Sequence, residues 1–338
     1  MIHISDLKKT EQFVAILKNI KSFTNDILIQ LQEDRFYIQG MDNAHVSMFE
    51  VVLCKSWFDT YDVKQPRVAG LNTETLSKIL SSKQPSHSIK MECKENKFII
   101  SFQHEPPEEK TNSSDNVNGK GTGKGTGKGK SKGKGNAKAK GKDNTKSKKS
   151  YTLNVIDIDM ETMGIPDQEY NVEFECHTKL FKTSIDDVGM FGDSIRLSCT
   201  EDNILLNCNN DMCNSEVTLF TDQVKYYLLE DTIATFNISY IQMFMQFYKL
   251  SDYIWVHFTK DMPLMVTYNL DHPGNTGDDY SIGEEGEEGE EGEEEGDDDD
   301  GGLPHCENFV RFFLAPKIDD DYDYDVDGDG DGDGDGDE

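Results

Sequence analysis

The stretch FVAILKNIKSFTNDILIQLQEDRFYI at residues 13–38 decides the fold, because its apolar pattern recurs as FKTSIDDVGMFGDSIRLSCTEDNILL at residues 181–206. An offset of 168 positions places Phe13 on Phe181 and superimposes the Glu-Asp pairs that follow. An apolar pattern that repeats at one offset along a chain indicates a duplicated structural unit.

Each half has the same predicted order of elements. In the first half, Phe13, Ile16, Leu17 and Ile20 form one apolar stripe on a helix. Alternating residues then predict a hairpin. The first half is predicted to hold strands 26–31 and 36–38, a helix over 71–80, and strands 89–93, 98–102 and 151–156. The second half is predicted to hold helices 180–188 and 238–248, and strands 195–199, 204–208, 254–258, 264–268 and 309–314. This order predicts an α+β fold of two duplicated domains, each with two helices and antiparallel sheets.

The net charge of the chain is concentrated in low-complexity segments. The chain has 338 residues, with 65 acidic and 34 basic side chains and a net charge of −31. Residues 110–149 hold 13 Lys against two Asp, whereas residues 278–300 hold 15 acids and residues 319–338 hold 12. The remaining residues carry 21 basic and 36 acidic groups, or −15. Such Gly-rich charged sequence cannot bury enough apolar surface to fold, so we expect these segments to be disordered.

The repeat places the domain boundaries. We expect domain 1 at residues 1–156 with a basic Gly/Lys insertion at 109–150, and a connecting loop at 157–168. Domain 2 is expected at 169–318 with an acidic insertion at 271–302, followed by an acidic tail at 319–338. Both insertions precede the last strand of their half, so they extend from equivalent loops.

Composition excludes several classes of protein. A basic, histone-like DNA binder is excluded by the charge, and no apolar run approaches the ~18 residues that a membrane span needs. The N-terminus lacks the apolar region of a secretory signal. Seven scattered Cys without a CxxC pair are typical of reduced thiols in an intracellular protein.

No catalytic or metal-binding constellation is visible. His45 has no second ligand at metal spacing, and no nucleophile elbow, phosphate-binding loop or paired-acid motif occurs. The tail from Asp327 to Glu338 matches the pattern of a calcium loop, but a Gly-Asp repeat without flanking helices favours diffuse cation attraction. We therefore expect no catalytic residue, no metal site and no cofactor.

Several segments resemble the proliferating cell nuclear antigen family of DNA sliding clamps. They are GMDNAHVSMFEVVL (40–53), LNTETLSKIL (71–80), IDIDMETMGIPDQEY (156–170), FTKDMPLMVTY (258–268) and FFLAPKI (312–318). The connecting loop with its Gly-Ile-Pro is the most specific match. The resemblance covers nearly all of the non-repetitive sequence, in order.

The resemblance implies a homotrimeric ring of six domains that encircles duplex DNA and tethers a replicative polymerase as a processivity factor, without chemistry of its own. A clamp loader opens such a ring. It would act in DNA replication and repair, in the nucleus or at another intracellular site such as a cytoplasmic viral one. Two alternatives stay open: an acidic histone or DNA-mimic chaperone, and a heterotrimeric or monomeric relative.

The resemblance also implies three sets of residues. Lysines on the polar helix faces would line the DNA channel, although such lysines are equally typical of any solvated helix face. They are Lys18, Lys21, Lys78, Lys83, Lys179, Lys182 and Lys249. Subunits would join between strand 151–155 and strand 215–220 of the neighbour, through Tyr151, Leu153, Val155, Val217 and Leu219. Partner proteins would dock a Q-x-x-aliphatic-x-x-aromatic-aromatic peptide on Met41, His45, Val46, Met48, Met163, Ile165, Pro166, Pro263, Ala315, Pro316 and Lys317.

Some positions depart from the family pattern. Thr183, Asp186, Ser239 and Gln246 stand where the family commonly has Arg or Lys, so we expect a channel that is less positive than usual. Glu201 aligns with the lysine that eukaryotic members present for ubiquitin-type modification, so we expect no such modification at this position.

We predict that the basic arm supplements this weak channel by holding DNA electrostatically. Its net charge of +11 confers a steep salt dependence on DNA association, because each neutralised phosphate releases counterions. Deleting residues 110–149 should flatten the slope of log affinity against log salt in a titration with duplex DNA. An unchanged slope would contradict the prediction and favour the alternative, in which the basic arm pairs with the chain's own acidic insertion.

Overall fold

The computed structural model describes residues 1–104, 148–159, 162–165, 168–272 and 307–317. In its described residues, the first half contains two helices, α1 (Leu7–Asn19) and α2 (Thr73–Ser81). Its strands are β1 (Ile2–Ile4), β2 (Asp26–Leu31), β3 (Arg35–Met41), β4 (Ser47–Cys54), β5 (Thr60–Tyr61), β6 (Arg67–Asn72), β7 (His87–Lys94), β8 (Lys97–His104) and β9 (Lys148–Asn154).

The second half repeats this order with α3 (Thr178–Val188) and α4 (Ile238–Phe244). Its strands are β10 (Val172–His177), β11 (Ser194–Cys199), β12 (Asn203–Asn209), β13 (Asn214–Phe220), β14 (Lys225–Leu228), β15 (Thr232–Asn237), β16 (Tyr253–Phe258), β17 (Leu264–Asn269) and β18 (Phe309–Leu314). A 3₁₀ turn, Met245–Phe247, follows α4.

Side-chain caps explain where the four helices begin. A side chain just before each helix accepts a hydrogen bond from a free backbone N–H of the first turn. The cap residues are Asp6, Asn72, His177 and Asn237. Helix α1 packs against α2, and α3 packs against α4.

The described strands form three antiparallel sheets whose composition reflects the duplication. One sheet has the order β5-β1-β7-β8-β9, and another has the order β13-β12-β11-β15. The third has nine strands, β14-β10-β16-β17-β18-β4-β3-β2-β6. Its first five strands come from the second half and its last four from the first half. The two halves therefore share one continuous sheet, joined where β18 pairs with β4.

An aromatic cluster fills the core behind this joint. The ring of Phe312 on β18 lies 4.9 Å from Phe244, 4.8 Å from Phe247 and 5.4 Å from Phe23. All four side chains are buried. Because Phe23 belongs to the first half and the other rings to the second, the cluster holds the halves together.

The α+β class and the antiparallel meanders are confirmed, whereas some boundaries differ. Leu71 lies in β6 rather than in a helix, because α2 begins only after the Asn72 cap. Strand β9 begins at Lys148, so residues 148–150 belong to the sheet and not to the predicted insertion 109–150. Asp271 and His272, assigned to the acidic insertion, are hydrogen-bonded to the folded part of the chain.

Five of the cysteines are free thiols: Cys93, Cys176, Cys199, Cys208 and Cys213. Cys54 is disulfide-bonded, so the expectation of reduced thiols is wrong at this residue.

Among the described residues, no helix is long and apolar enough to cross a membrane.

We predict that Phe312→Ala lowers the free energy of unfolding by about 3–5 kcal/mol, because removing the ring leaves a cavity among the buried aromatic side chains that join the two halves. Phe312→Leu should cost roughly 1 kcal/mol, since it keeps most of the volume. Leu229→Ala is the control, because Leu229 is 59% exposed and its truncation should change stability by less than about 0.5 kcal/mol. Denaturant titration measures all three, and equal losses for Phe312→Ala and Leu229→Ala would contradict the prediction.

Candidate functional site

The turn between β3 and β4 is built around one carboxylate. Asp42 accepts hydrogen bonds from the backbone N–H groups of Ala44 (2.8 Å), Val46 (2.9 Å) and Ser47 (2.6 Å). The hydroxyl of Tyr240 donates to Asp42 from the second half at 3.1 Å. Burial would raise the pKa of Asp42, but these donors outweigh it and the pKa is lowered. The ionised Asp42 carboxylate therefore fixes the shape of the turn. The turn places His45, whose φ is 57°, at the protein surface.

The connecting segment, here Ile156 together with the connecting loop at 157–168, is hydrogen-bonded to strands of the nine-stranded sheet at both Met163 and Ile156. The amide of Gln39 donates to the Met163 carbonyl at 2.9 Å and accepts from the Met163 N–H at 2.7 Å. Farther back, the Ile156 N–H donates to the Gly70 carbonyl at 2.9 Å. A Cβ on residue 70 would lie 2.2 Å from the Ile156 carbonyl oxygen, so only glycine allows this approach.

An apolar groove lies between the Asp42 turn, the connecting segment and the C-terminal strand. Its cavity volume is about 290 Å³. The lining residues are Met41, His45, Val46, Ser47, Met48, Met163, Gly164, Ile165, Gln168, Pro263, Phe313 and Ala315. Met48 lies directly across the sheet from both Met41 and Phe313, and Ala315 donates its N–H to the Val46 carbonyl at 3.0 Å. Methionine and proline side chains make an adaptable apolar surface.

Most of the residues proposed for peptide docking therefore meet in one groove. Met41, His45, Val46, Met48, Met163, Ile165, Pro263 and Ala315 line it, while Pro166 lies outside the described residues. Pro316 and Lys317 do not line it. The Lys317 N–H donates to the Thr235 carbonyl at 2.7 Å and its ammonium donates to the Ser194 hydroxyl, so Lys317 follows the second half instead.

Sequence reasoning missed four lining residues: Ser47, Gly164, Gln168 and Phe313. The alternation along β18 could have indicated Phe313, because Phe312 and Leu314 on either side are buried in the core. The other three lie within the segments 40–53 and 156–170 that carry the family resemblance, which could have indicated them.

A second groove crosses the helix layer and brings together lysines from both halves. Lys18 on α1, Lys83 after α2 and Lys249 after α4 line it, together with Glu11 and Tyr248. The Asn19 side chain donates to the Gln246 carbonyl at 2.9 Å and ties α1 to the second half. Burial lowers the pKa of Lys83, and the nearby Glu11 opposes this effect. Lys18, Lys83 and Lys249 thus form a basic helix face, which also contains the carboxylate of Glu11.

The other proposed channel lysines are arranged in three ways. Lys182 and Lys249 each place their ammonium 5.6 Å from the centre of the Tyr248 ring, which joins Lys182 to the basic face. Lys182 is also paired with Asp186, and Lys78 lies 2.7 Å from Glu74, so acids offset both charges. Lys21 and Lys179 are exposed beyond the groove. Tyr248 was not anticipated, since an aromatic residue on a polar face gave no clear signal.

Two strands proposed for subunit contact are edges of their sheets. Among the described residues, β9 pairs only with β8, and β13 pairs only with β12. Tyr151 and Val217 are half-buried and Leu153 and Leu219 are buried, while Val155 follows the end of β9. Each edge thus presents a row of backbone donors and acceptors next to apolar side chains.

No group of three or more potential metal ligands occurs within the part of the chain that the structure describes.

Comparison with known proteins identifies the family. The N-terminal domain model of proliferating cell nuclear antigen matches residues 3–118, and the C-terminal domain model matches residues 164–277. Proliferating cell nuclear antigen of Caenorhabditis elegans is 24% identical over 316 residues, covering 90% of this chain and 93% of the relative. The protein of the same name from Chaetomium thermophilum is 21% identical over 323 residues, covering 93% of this chain and 98% of the relative. With both domain models matched in order on a duplicated α+β fold, the chain belongs to the proliferating cell nuclear antigen family.

Proposed function

We propose that this protein is a DNA sliding clamp, a homotrimeric ring that encircles duplex DNA and tethers a replicative polymerase without catalysing a reaction. The observation that carries the proposal is the joint between β18 and β4. It already connects the two halves by edge pairing, and within the described residues the strands that would repeat the joint between subunits, β9 and β13, each have one free edge.

The strand orders support this repetition. The five strands β14-β10-β16-β17-β18 of the second half correspond in order to β5-β1-β7-β8-β9 of the first. The four strands β4-β3-β2-β6 correspond in the same way to β13-β12-β11-β15. Pairing of β9 with β13 of a neighbouring subunit would therefore join five strands to four and make a second nine-stranded sheet. Because this contact is heterologous, it repeats until the ring closes.

The register of the proposed joint follows from the internal one. In the second half, a cross-strand ladder runs through Phe174, Val256, Val266 and Phe312 and continues to Phe49 on β4. The corresponding ladder in the first half runs through Ile2, Met91, Ile100 and Tyr151. Phe49 pairs with Gly40, which corresponds to Cys208 at the offset of 168, and Cys208 pairs with Ser215. Phe49 therefore corresponds to Ser215, and Tyr151 of one subunit is expected opposite Ser215 of the next.

The helix face supports DNA contact without sequence readout. Lys18, Lys83 and Lys249 present ammonium groups that attract phosphates as point charges. Asp186 and Glu74 offset neighbouring lysines, so this face attracts DNA weakly. Enclosure by a ring retains DNA even when direct contacts are weak, and weak contacts allow sliding.

The apolar groove supports peptide docking. An aliphatic and an aromatic anchor of a Q-x-x-aliphatic-x-x-aromatic-aromatic segment suit a concave surface of Met, Ile and Pro side chains. Pro316 and Lys317 would act through their backbone or at the rim, and Pro166 from the connecting segment. A clamp loader would open the ring, in the nucleus or at another intracellular site of DNA replication.

We predict that the unmodified chain sediments at three times its mass of 38.3 kDa, and that Val217→Glu reduces it to the monomer. A carboxylate facing the apolar side of the joint would be desolvated without a partner. The control is Ile233→Glu on β15, the opposite edge of the same sheet, which should remain trimeric because its side chain is 44% exposed. A monomer at all concentrations of the unmodified chain, or a trimeric Val217→Glu variant, would contradict the ring.

We also predict that Met48→Ala weakens binding of a fluorescent Q-x-x-aliphatic-x-x-aromatic-aromatic peptide by roughly 5- to 30-fold, as expected when a central contact of an interface is truncated. Met190→Ala is the matched control, since Met190 is 69% exposed and outside the groove. Fluorescence anisotropy gives both dissociation constants. If the two variants bind alike, the peptide does not use this groove.

A further inference from the structure

A third groove, with a volume of about 560 Å³, opens where the ends of several strands meet in the first half. Its walls are the ends of β1, β2 and β7 and the segment that leads into β6. The lining residues are Met1, Ile2, Leu31, Asp62, Val63, Lys64, Gln65, Arg67, Met91, Cys93 and Lys94. None of the described helices contributes to it, so it is separate from the basic helix face.

This groove is basic although the protein is acidic. It is lined by the cationic side chains of Lys64, Arg67 and Lys94 and by the single carboxylate of Asp62. Lys94 pairs with Glu92 at 2.6 Å, whereas Lys64 and Arg67 form no ion pair within the described ranges. Both are exposed. Outside the low-complexity segments the chain has 36 acids against 21 basic groups, so the charge of this groove is opposite in sign to that of the folded part as a whole.

The acidic insertion starts and finishes at the same end of the nine-stranded sheet as this groove. Leu31 pairs with Arg67 and with Phe36, next to the pair formed by Arg35 and Cys54. Asn308, where the chain returns from the insertion, accepts a hydrogen bond from the Cys54 N–H at 2.6 Å. The route from the insertion to the groove therefore crosses the strand ends at one end of the sheet.

The distance suits the length of the insertion. Four inter-strand steps separate β18 from β6, or about 19 Å at the usual spacing. Residues 273–306 lie between the described ends, and about six extended residues suffice to cover this distance. The acids from 284 to 300 can therefore reach Lys64 and Arg67 without strain on either end.

The other charged segments leave the fold elsewhere. The acidic tail follows Lys317, beyond the Leu314 end of β18, which is the opposite end of the sheet. The basic arm lies between His104 and Lys148, at the other end of β8 from the turn that holds Lys94. Position and sign of charge together favour the acidic insertion as the occupant.

We propose that the acidic insertion, residues 273–306, docks in the groove of Lys64, Arg67 and Lys94 of its own chain. Its carboxylates form several exposed ion pairs that are individually weak and collectively sensitive to salt. Docking holds the insertion at a groove that no helix lines, away from the lysines that would meet DNA.

The test is lysine acetylation of the full chain, followed site by site by mass spectrometry. The comparison chain has every Glu between positions 284 and 295 changed to Gln, which removes charge and preserves length. At low salt, Lys64 should react roughly two- to five-fold more slowly in the unmodified chain, as expected from ion pairs of this strength. The difference should vanish near ~1 M salt, where screening is nearly complete. Lys260, exposed in the turn between β16 and β17, is the control and should react alike in both chains.

Equal acetylation of Lys64 in the two chains would overturn the proposal. Protection confined to lysines of the basic arm, or to Lys18 and Lys83, would also overturn it and identify a different occupant. Carbodiimide coupling gives an independent measurement: a cross-link from Lys64 to residues 284–300 supports docking, and cross-links from these acids only to other lysines contradict it.

Discussion

The backbone pairing of β18 with β4 is the interaction on which the rest of the structure depends. It turns five strands of one half and four of the other into one sheet, and Phe312 behind it packs against rings from both halves. Because the chain is a duplication, the same joint is available a second time between β9 and β13, where its two strands have no partner within the described chain. A ring needs only this one type of contact.

The apolar groove depends on the same joint. Strand β18 places Phe313 beside Met48, and its continuation brings the Ala315 N–H to the Val46 carbonyl. The Asp42 turn and the Gln39–Met163 hydrogen bonds then fix the other walls. Residues from four distant parts of the sequence therefore meet where the two halves join, which explains why no local motif describes the site.

Periodicity and duplication predicted the α+β class, all four helices and the equivalence of the two insertions. They did not predict that Leu71 belongs to β6, because the apolar pattern continues from the strand into the helix. The Asn72 cap marks where α2 begins, and the periodicity does not. The groove residues came from resemblance and could not come from pattern, since Met41 and Met163 look like ordinary core residues. The ion pairs that offset Lys78 and Lys182, and the place of Tyr248 between two lysines, depend on side-chain geometry that no sequence period encodes.

The most direct test of the ring is a disulfide designed across the proposed joint. Tyr151→Cys and Ser215→Cys in one chain should, on mild oxidation, give a covalently closed species of three chains, because these residues are expected to face each other on adjacent subunits. Either substitution alone should give none, which controls for the native thiols of Cys93 and Cys213. Absence of intermolecular cross-links in the double variant, or linear chains of indefinite length, would contradict the closed ring.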